Sequence, residues 1–217
     1  MRGVERMKDR EDAVGYGKII LIGEHAVVYG RHAIAAPVAM VIRARAEDSS
    51  DGTQLIIPRW GVEQRLDPGT KRSNLLLQSL ELILKRLALV DRPLRIFVDA
   101  NVPRAGGLGG SAALAVAVIR ALDAHCALGL TDGEVCAHAY ECERLAHGTP
   151  SGIDNTVATY GRPLLYQRGE PPLVEALHVA KPLPMVIGLS GVESLTAHTV
   201  ARVREAWQRD TPRYERV

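Results

Sequence analysis

Two periodicities alternate along this chain. Apolar runs rich in Ala, Val, Ile and Leu at residues 18–22 and 33–45 predict strands, and residues 53–57 predict a third beyond the polar turn at 47–52. After a loop at 67–72, Leu76, Leu77, Leu80, Ile83, Leu84 and Leu87 return at helical spacing, with Ser73 standing where a cap would. Residues 95–98 read as a further strand, and 108–122 as a helix with its glycines gathered at the front. Thr131-Asp132-Gly133-Glu134 has capping-box spacing and opens a helix to about residue 147. Gly148-Thr149-Pro150-Ser151-Gly152 breaks that helix, because Pro150 lacks a backbone donor, and a short helix restarts at Asp154. Five prolines within 162–184 predict strands joined by turns, and 196–207 reads as a last helix. Strands and helices interleave without regular βαβ spacing, which favours a two-layer α+β domain over a doubly wound sheet. Residues 1–12 are charged and unpatterned and read as a flexible arm.

Length and charge narrow the function classes. A chain of 217 residues can bury a core without disulfides or metals, and 27 basic against 25 acidic residues give a net charge of +2. That balance points to neither nucleic acid nor a membrane surface, so any partner must be argued from a site. The richest apolar run, 112–119, is far shorter than the roughly 20 residues of a membrane-spanning helix, so a soluble protein is expected. Three cysteines behind a charged N-terminus suggest a reducing, cytoplasmic setting. A zinc reading of Cys136, His138, Cys142 and His147 lacks a paired C-x-x-C, and a helix would turn Cys136 and His138 apart. Small thiols without a metal are the preferred reading.

Three segments carry chemistry. Gly106-Gly107-Leu108-Gly109-Gly110-Ser111-Ala112 follows a predicted strand and opens a predicted helix. Glycines let successive N–H groups face one concavity, and the helix N-terminus adds partial positive charge, which suits a polyphosphate. Ser111 then offers a hydroxyl to a magnesium ion. No Gly-Lys-Ser or Gly-Lys-Thr follows, and the spacing misses the dinucleotide fingerprint, so taken alone the segment could equally be a tight packing turn. Gly17 to Gly30 sets Lys18 at a strand start and the pair Glu24-His25 behind Gly23; by itself such a pair is commonly a surface feature. In the third segment Glu143 and His147, four apart, share a helix face, and the turn then returns Asp154 to their vicinity. Alone, Glu143 reads as a solvated helix charge and Asp154 as a helix cap; beside a phosphate loop, two carboxylates can divide between magnesium and a substrate hydroxyl.

In this order the three segments resemble the motifs of the GHMP kinase superfamily, over nearly the whole chain from about Gly15 onward. Gly17-Lys18-Ile19-Ile20-Leu21-Ile22-Gly23-Glu24-His25-Ala26-Val27-Val28-Tyr29-Gly30 and His147-Gly148-Thr149-Pro150-Ser151-Gly152-Ile153-Asp154-Asn155 resemble the mevalonate kinase branch in particular. The resemblance implies the two-layer N-terminal domain of that superfamily (ribosomal protein S5 domain 2-like) over 13–183, with 184–217 as the beginning of a C-terminal domain otherwise missing, along with its third glycine-rich motif. It implies ATP and Mg2+ as cofactors and mevalonate as the small-molecule partner in isoprenoid biosynthesis, with no nucleic acid and no membrane, and leaves a homodimer open. Asp154 would be the catalytic base with Lys18 beside it; Gly106, Gly107, Leu108, Gly109, Gly110, Ser111 and Ala112 would hold the ATP phosphates. Ser111 and Glu143 would hold the metal, and Glu24, His25, His147 and Thr196 would contact substrate. Gly110 departs from the family, which usually has serine there. A sister kinase acting on another small alcohol or phosphomevalonate, and a nucleotide-binding half without catalysis of its own, are the alternatives.

Overall fold

A computed structural model describes residues 13–66, 74–104, 106–181, 184–189 and 196–214, the side chains of 196–201 excepted. The 1–12 arm and the 67–72 loop lie outside the described residues. In chain order the strands are β1 (Ala13–Ile22), β2 (His32–Asp48), β3 (Thr53–Ile57), β4 (Val62–Leu66), β5 (Leu94–Ala100), β6 (Leu164–Gln167) and β7 (Leu173–Ala176). The helices are α1 (Leu75–Arg86), α2 (Gly110–Cys126), α3 (Asp132–His147), α4 (Ile153–Tyr160), α5 (Thr196–Arg209) and the single turn α6 (Thr211–Tyr214).

One sheet runs in the order β4-β3-β5-β2-β6-β7, with β1 on the other edge of β2: Ile42 and Ala44 face partners on both β1 and β5. All pairs are antiparallel except β3 with β5, which are joined through β4 and α1. Along β5, Leu94, Ile96, Val98 and Ala100 are buried while Arg95, Phe97 and Asp99 turn outward. That alternation marks a sheet packed on one face only. On the outer face the Arg45 guanidinium lies 4.4 Å from the Phe97 ring centroid. The inner face meets α1 and α2 in a large apolar cluster through Leu55, Leu84, Ile96 and Ile119, giving the expected two-layer α+β architecture. Among the described residues no helix is long and apolar enough to cross a membrane.

Helix α2 is buried along nearly its whole length, and its alanines let it approach the sheet closely. The matching feature on β1 is Gly15, where a Cβ would strike the Ala113 carbonyl; at Gly17 it would instead sit 2.9 Å from the Met40 carbonyl of β2. These glycines weaken the strand signal, so the periodicity marked only 18–22; the strand in fact begins at Ala13, since pairing with β2 overrides propensity.

Other differences have equally local reasons. Strand β4 carries alternating charge in Val62-Glu63-Gln64-Arg65-Leu66 and was not anticipated; it is an edge held by pairing with β3. Helix α1 is capped by Asn74, whose side chain accepts from the Leu76 N–H at 2.9 Å; Ser73 lies outside the described residues. Helix α2 starts at Gly110 rather than at residue 108, because Gly109 (φ 69°) is still left-handed. The Thr131–Glu134 capping box forms as expected.

Candidate active site

The chain brings β1, the glycine loop, α3 and α4 together at one end of the sheet. The Lys18 N–H donates to the Leu108 carbonyl at 2.9 Å, which ties β1 to the loop. Gly107 and Gly109 hold φ of 73° and 69°, and a Cβ at Gly109 would meet the Lys18 side chain at 2.7 Å. Glycine is needed there twice over, for conformation and for room. Gly110 is under no such demand: a Cβ would find ordinary contacts at 3.5 Å to Val102 and 3.6 Å to Pro103. Ala112 is fully buried and faces the core, leaving only its backbone toward the loop. Gly106 packs near Leu189.

Lys18 Nζ lies 2.9 Å from Asp154 Oδ1, with side-chain exposures of 8% and 33%. Besides this charge contact, Asp154 Oδ1 is buried with no hydrogen-bond partner among the described residues. Burial opposes the lysine charge, but Asp154, Glu24 and Glu143 outweigh it and hold the Lys18 pKa above its ordinary value. Glu143 is 2% exposed. Burial and the nearby Asp154 push its pKa up to about 7, against the Ser111 hydrogen bond and Lys18, which lower it. His147 Nε2 stands 3.6 Å from Glu143 Oε2 on the same helix face. Asp154 is not the cap of α4; that is Gly152 (φ 90°), which delivers the carboxylate in the first helical turn. Glu143 is likewise no solvated charge.

A hydroxyl and a carboxylate of this kind suit a hard divalent cation, which takes few protein ligands when phosphates and water supply the rest. The crowding of Glu143 and Asp154 is the electrostatic strain such a cation would relieve. The first turn of α2, where Gly110 is half-buried and Ser111 exposed, has glycine at its cap and presents N–H groups that a helix start leaves without intrahelical partners. Next to Ser111 an apolar cleft runs between α1, α2 and α3, lined by Leu55, Leu76, Leu80 and Leu114. Among the described residues no group of three or more His, Cys, Asp or Glu could hold a metal, and Cys142 is a buried thiol pushed up to about 12.

Glu24 is exposed and reaches the cluster through its charge on Lys18. His25 is no simple surface residue: it holds φ 62°, and its buried Nδ1 has no partner among the described residues. A left-handed non-glycine residue stores strain of about 1–3 kcal/mol, which the surroundings must hold in place. They do so through Val27, which shares a small second core with Ile153 and Val157 of α4, so the His25 turn and the Asp154 helix rest on one platform. The Thr196 side chain lies outside the described residues. Sequence reasoning missed Tyr166, whose hydroxyl donates to the Ser151 carbonyl at 2.8 Å just ahead of Gly152. A lone tyrosine in a strand gives no such signal. Asn155, noted only as part of its motif, is buried and donates to the Cys136 carbonyl at 3.2 Å.

Residues 74–162 match the family of GHMP kinases, N terminal domain. Mevalonate kinase of Thermococcus sibiricus is 34% identical over 206 residues, covering 88% of this chain and 60% of the relative. That of Pyrococcus abyssi is 33% identical over 209 residues, with the same shares. The crystal structure of L. major mevalonate kinase in complex with R-mevalonate is 31% identical, with a TM-score of 0.73, and the match covers 100% of this chain and 67% of that one. The chain thus spans about 60% of the length of the curated relatives it matches. With its two-layer fold in agreement with these matches, the chain belongs to the GHMP kinase family.

Proposed function

We propose that this chain carries the nucleotide-binding and phosphoryl-transfer machinery of a mevalonate kinase, transferring the γ-phosphoryl group of ATP to the 5-hydroxyl of mevalonate in the cytoplasm. The observation that carries the reading is the Lys18–Asp154 contact at 2.9 Å beside the left-handed glycines of the loop. Phosphoryl transfer is mostly positioning and charge neutralisation, and these residues supply both.

In this reading backbone N–H groups of residues 106–112 hold the phosphates, and the cleft beside Ser111 takes the flat faces of the adenine ring. Ser111 and Glu143 would hold Mg2+, which when bound would offset the negative charge of the phosphates. Asp154 accepts the proton of the substrate hydroxyl as its oxygen bonds to the γ-phosphorus and the bond to the ADP oxygen breaks. Lys18, 2.9 Å from Asp154, offsets its charge and favours the developing alkoxide. Glu24, His25, His147 and Thr196 orient the alcohol.

The substrate is supported by the relatives named mevalonate kinase and by Val27-Val28-Tyr29 following His25. The chain, assayed for ADP release with mevalonate, galactose, homoserine and phosphomevalonate in turn, should respond to mevalonate. Equal rates with all four, or none with any, would sink the assignment. Nucleotide binding without turnover would favour the second reading, a half that needs further polypeptide, which the 60% span of the relatives supports.

A further inference from the structure

We propose that Tyr166 is a positioning residue for the reaction: its hydroxyl fixes the segment before α4 and thereby aims Asp154 at Lys18. The inference rests on the kinase reading for its kinetic consequence, though not for its geometry. Tyr166 lies on β6, beyond the residues matched to the family, and pairs with Ala33 on one side and Val174 on the other. Its ring belongs to the second core, with Val27, Ile153 and Val157, and the residue is 3% exposed. Only its polar tip leaves that core, to donate to the Ser151 carbonyl at 2.8 Å.

Ser151 is the pivot of the segment. Its hydroxyl accepts from the Ile153 N–H at 3.3 Å, while its carbonyl is held by Tyr166 of β6. Gly152 follows with φ 90°, and a Cβ there would collide with the Tyr166 hydroxyl, so ring and backbone are in direct contact. Beyond Gly152 the chain is committed: its carbonyl takes the Thr156 hydroxyl at 2.6 Å, and Asn155 is tied to Cys136. Whatever sets Ser151 sets the direction of the first turn, and Asp154 stands in that turn. Burial keeps the phenol protonated, with its pKa pushed up to about 12, so it remains a donor at neutral pH. A misplacement of about 1 Å at a reacting group can cost roughly 100-fold in rate, so a shift of tenths of an ångström is costly even where the fold is untouched.

Tyr166→Phe removes the hydroxyl and keeps the ring. With the full chain, kcat should fall about tenfold while the KM for ATP stays within twofold, because the loop and α2 make no use of Tyr166. Independently of turnover, the side-chain ammonium resonance of Lys18 in 15N spectra reports its contact with Asp154. Its hydrogen exchange should quicken severalfold in Tyr166→Phe, toward the rate in Asp154→Asn. Unchanged Lys18 exchange in Tyr166→Phe would overturn the proposal whether or not the chain turns over; absence of product from the unsubstituted chain would instead count against the kinase reading. A kcat loss matched by an equal rise in the KM for ATP would also overturn it, as a sign of general loosening.

Discussion

The two ends of the sheet are built on opposite terms. Around β5, α1 and the middle of α2 the chain buries Ile42, Leu55, Leu84, Ile96 and Ile119 against one another with scarcely a polar atom among them. At the other end, around the front of α2, it buries Lys18, Glu143, Asn155 and Thr156, and holds His25 and Gly152 in left-handed conformations. Apolar burial contributes about 1.5–3 kcal/mol per large side chain, whereas a buried charge costs stability unless it is paired. The first region therefore holds the fold, and the second draws on that stability to keep charged groups close together. Gly15 connects the two, since it lets the apolar helix α2 come near enough to bring its own N-terminus beside Lys18.

The contrast can be broken by substitution, and the largest effect should come from Lys18→Met. Turnover should fall by about 1,000-fold, near 4 kcal/mol, while Asp154 and Glu143 lose their counter-charge. Steady-state kinetics beside thermal denaturation would separate the two consequences. Next, Ile96→Ala in the apolar region should cost about 3 kcal/mol of stability, read from urea denaturation, with turnover per folded molecule unchanged. A selective loss of turnover there would blur the division between the two ends.

Glu143 gives a smaller effect with a defined pH dependence. Its folded-state pKa near 7 lies above the ordinary 4.5, so between those values the folded chain holds a proton that the unfolded chain has released. The contribution is full below about pH 4.5 and is lost as pH rises through 7. Glu143→Gln should therefore stabilise the metal-free chain on the order of 2 kcal/mol at pH 8, little at pH 5, and weaken Mg2+-dependent turnover. Denaturation curves at the two pH values check the sign, and greater stabilisation at pH 5 would contradict it. Smallest is Asn74→Ala, which removes the α1 cap and should cost about 1 kcal/mol with no change in catalysis.

Sequence pattern revealed the two regions unequally. The apolar region was readable because its residues obey periods: Leu80, Ile83 and Leu84 along α1, and the alternation of β5. Strand β4 escaped because an edge strand bearing Glu63, Gln64 and Arg65 carries no apolar period. At the site, motif order brought out Lys18, Glu143 and Asp154, but not their burial, the left-handed turn at His25 or the Tyr166 contact. Those depend on pairing across the sheet between residues more than a hundred positions apart, such as Ala33 with Tyr166. Gly15 and Gly17 were hidden for the opposite reason, since their value lies in what their missing side chains leave free.

The central claim is that Asp154, held by Lys18, takes the proton of the alcohol while the glycine loop holds the nucleotide. It is tested most directly by Asp154→Asn in the full chain, measuring nucleotide affinity by calorimetry and mevalonate-dependent ADP release in the same preparation. The account predicts affinity within about threefold of the unsubstituted chain and turnover lower by at least about 100-fold. Turnover retained to within tenfold alongside intact binding would contradict it.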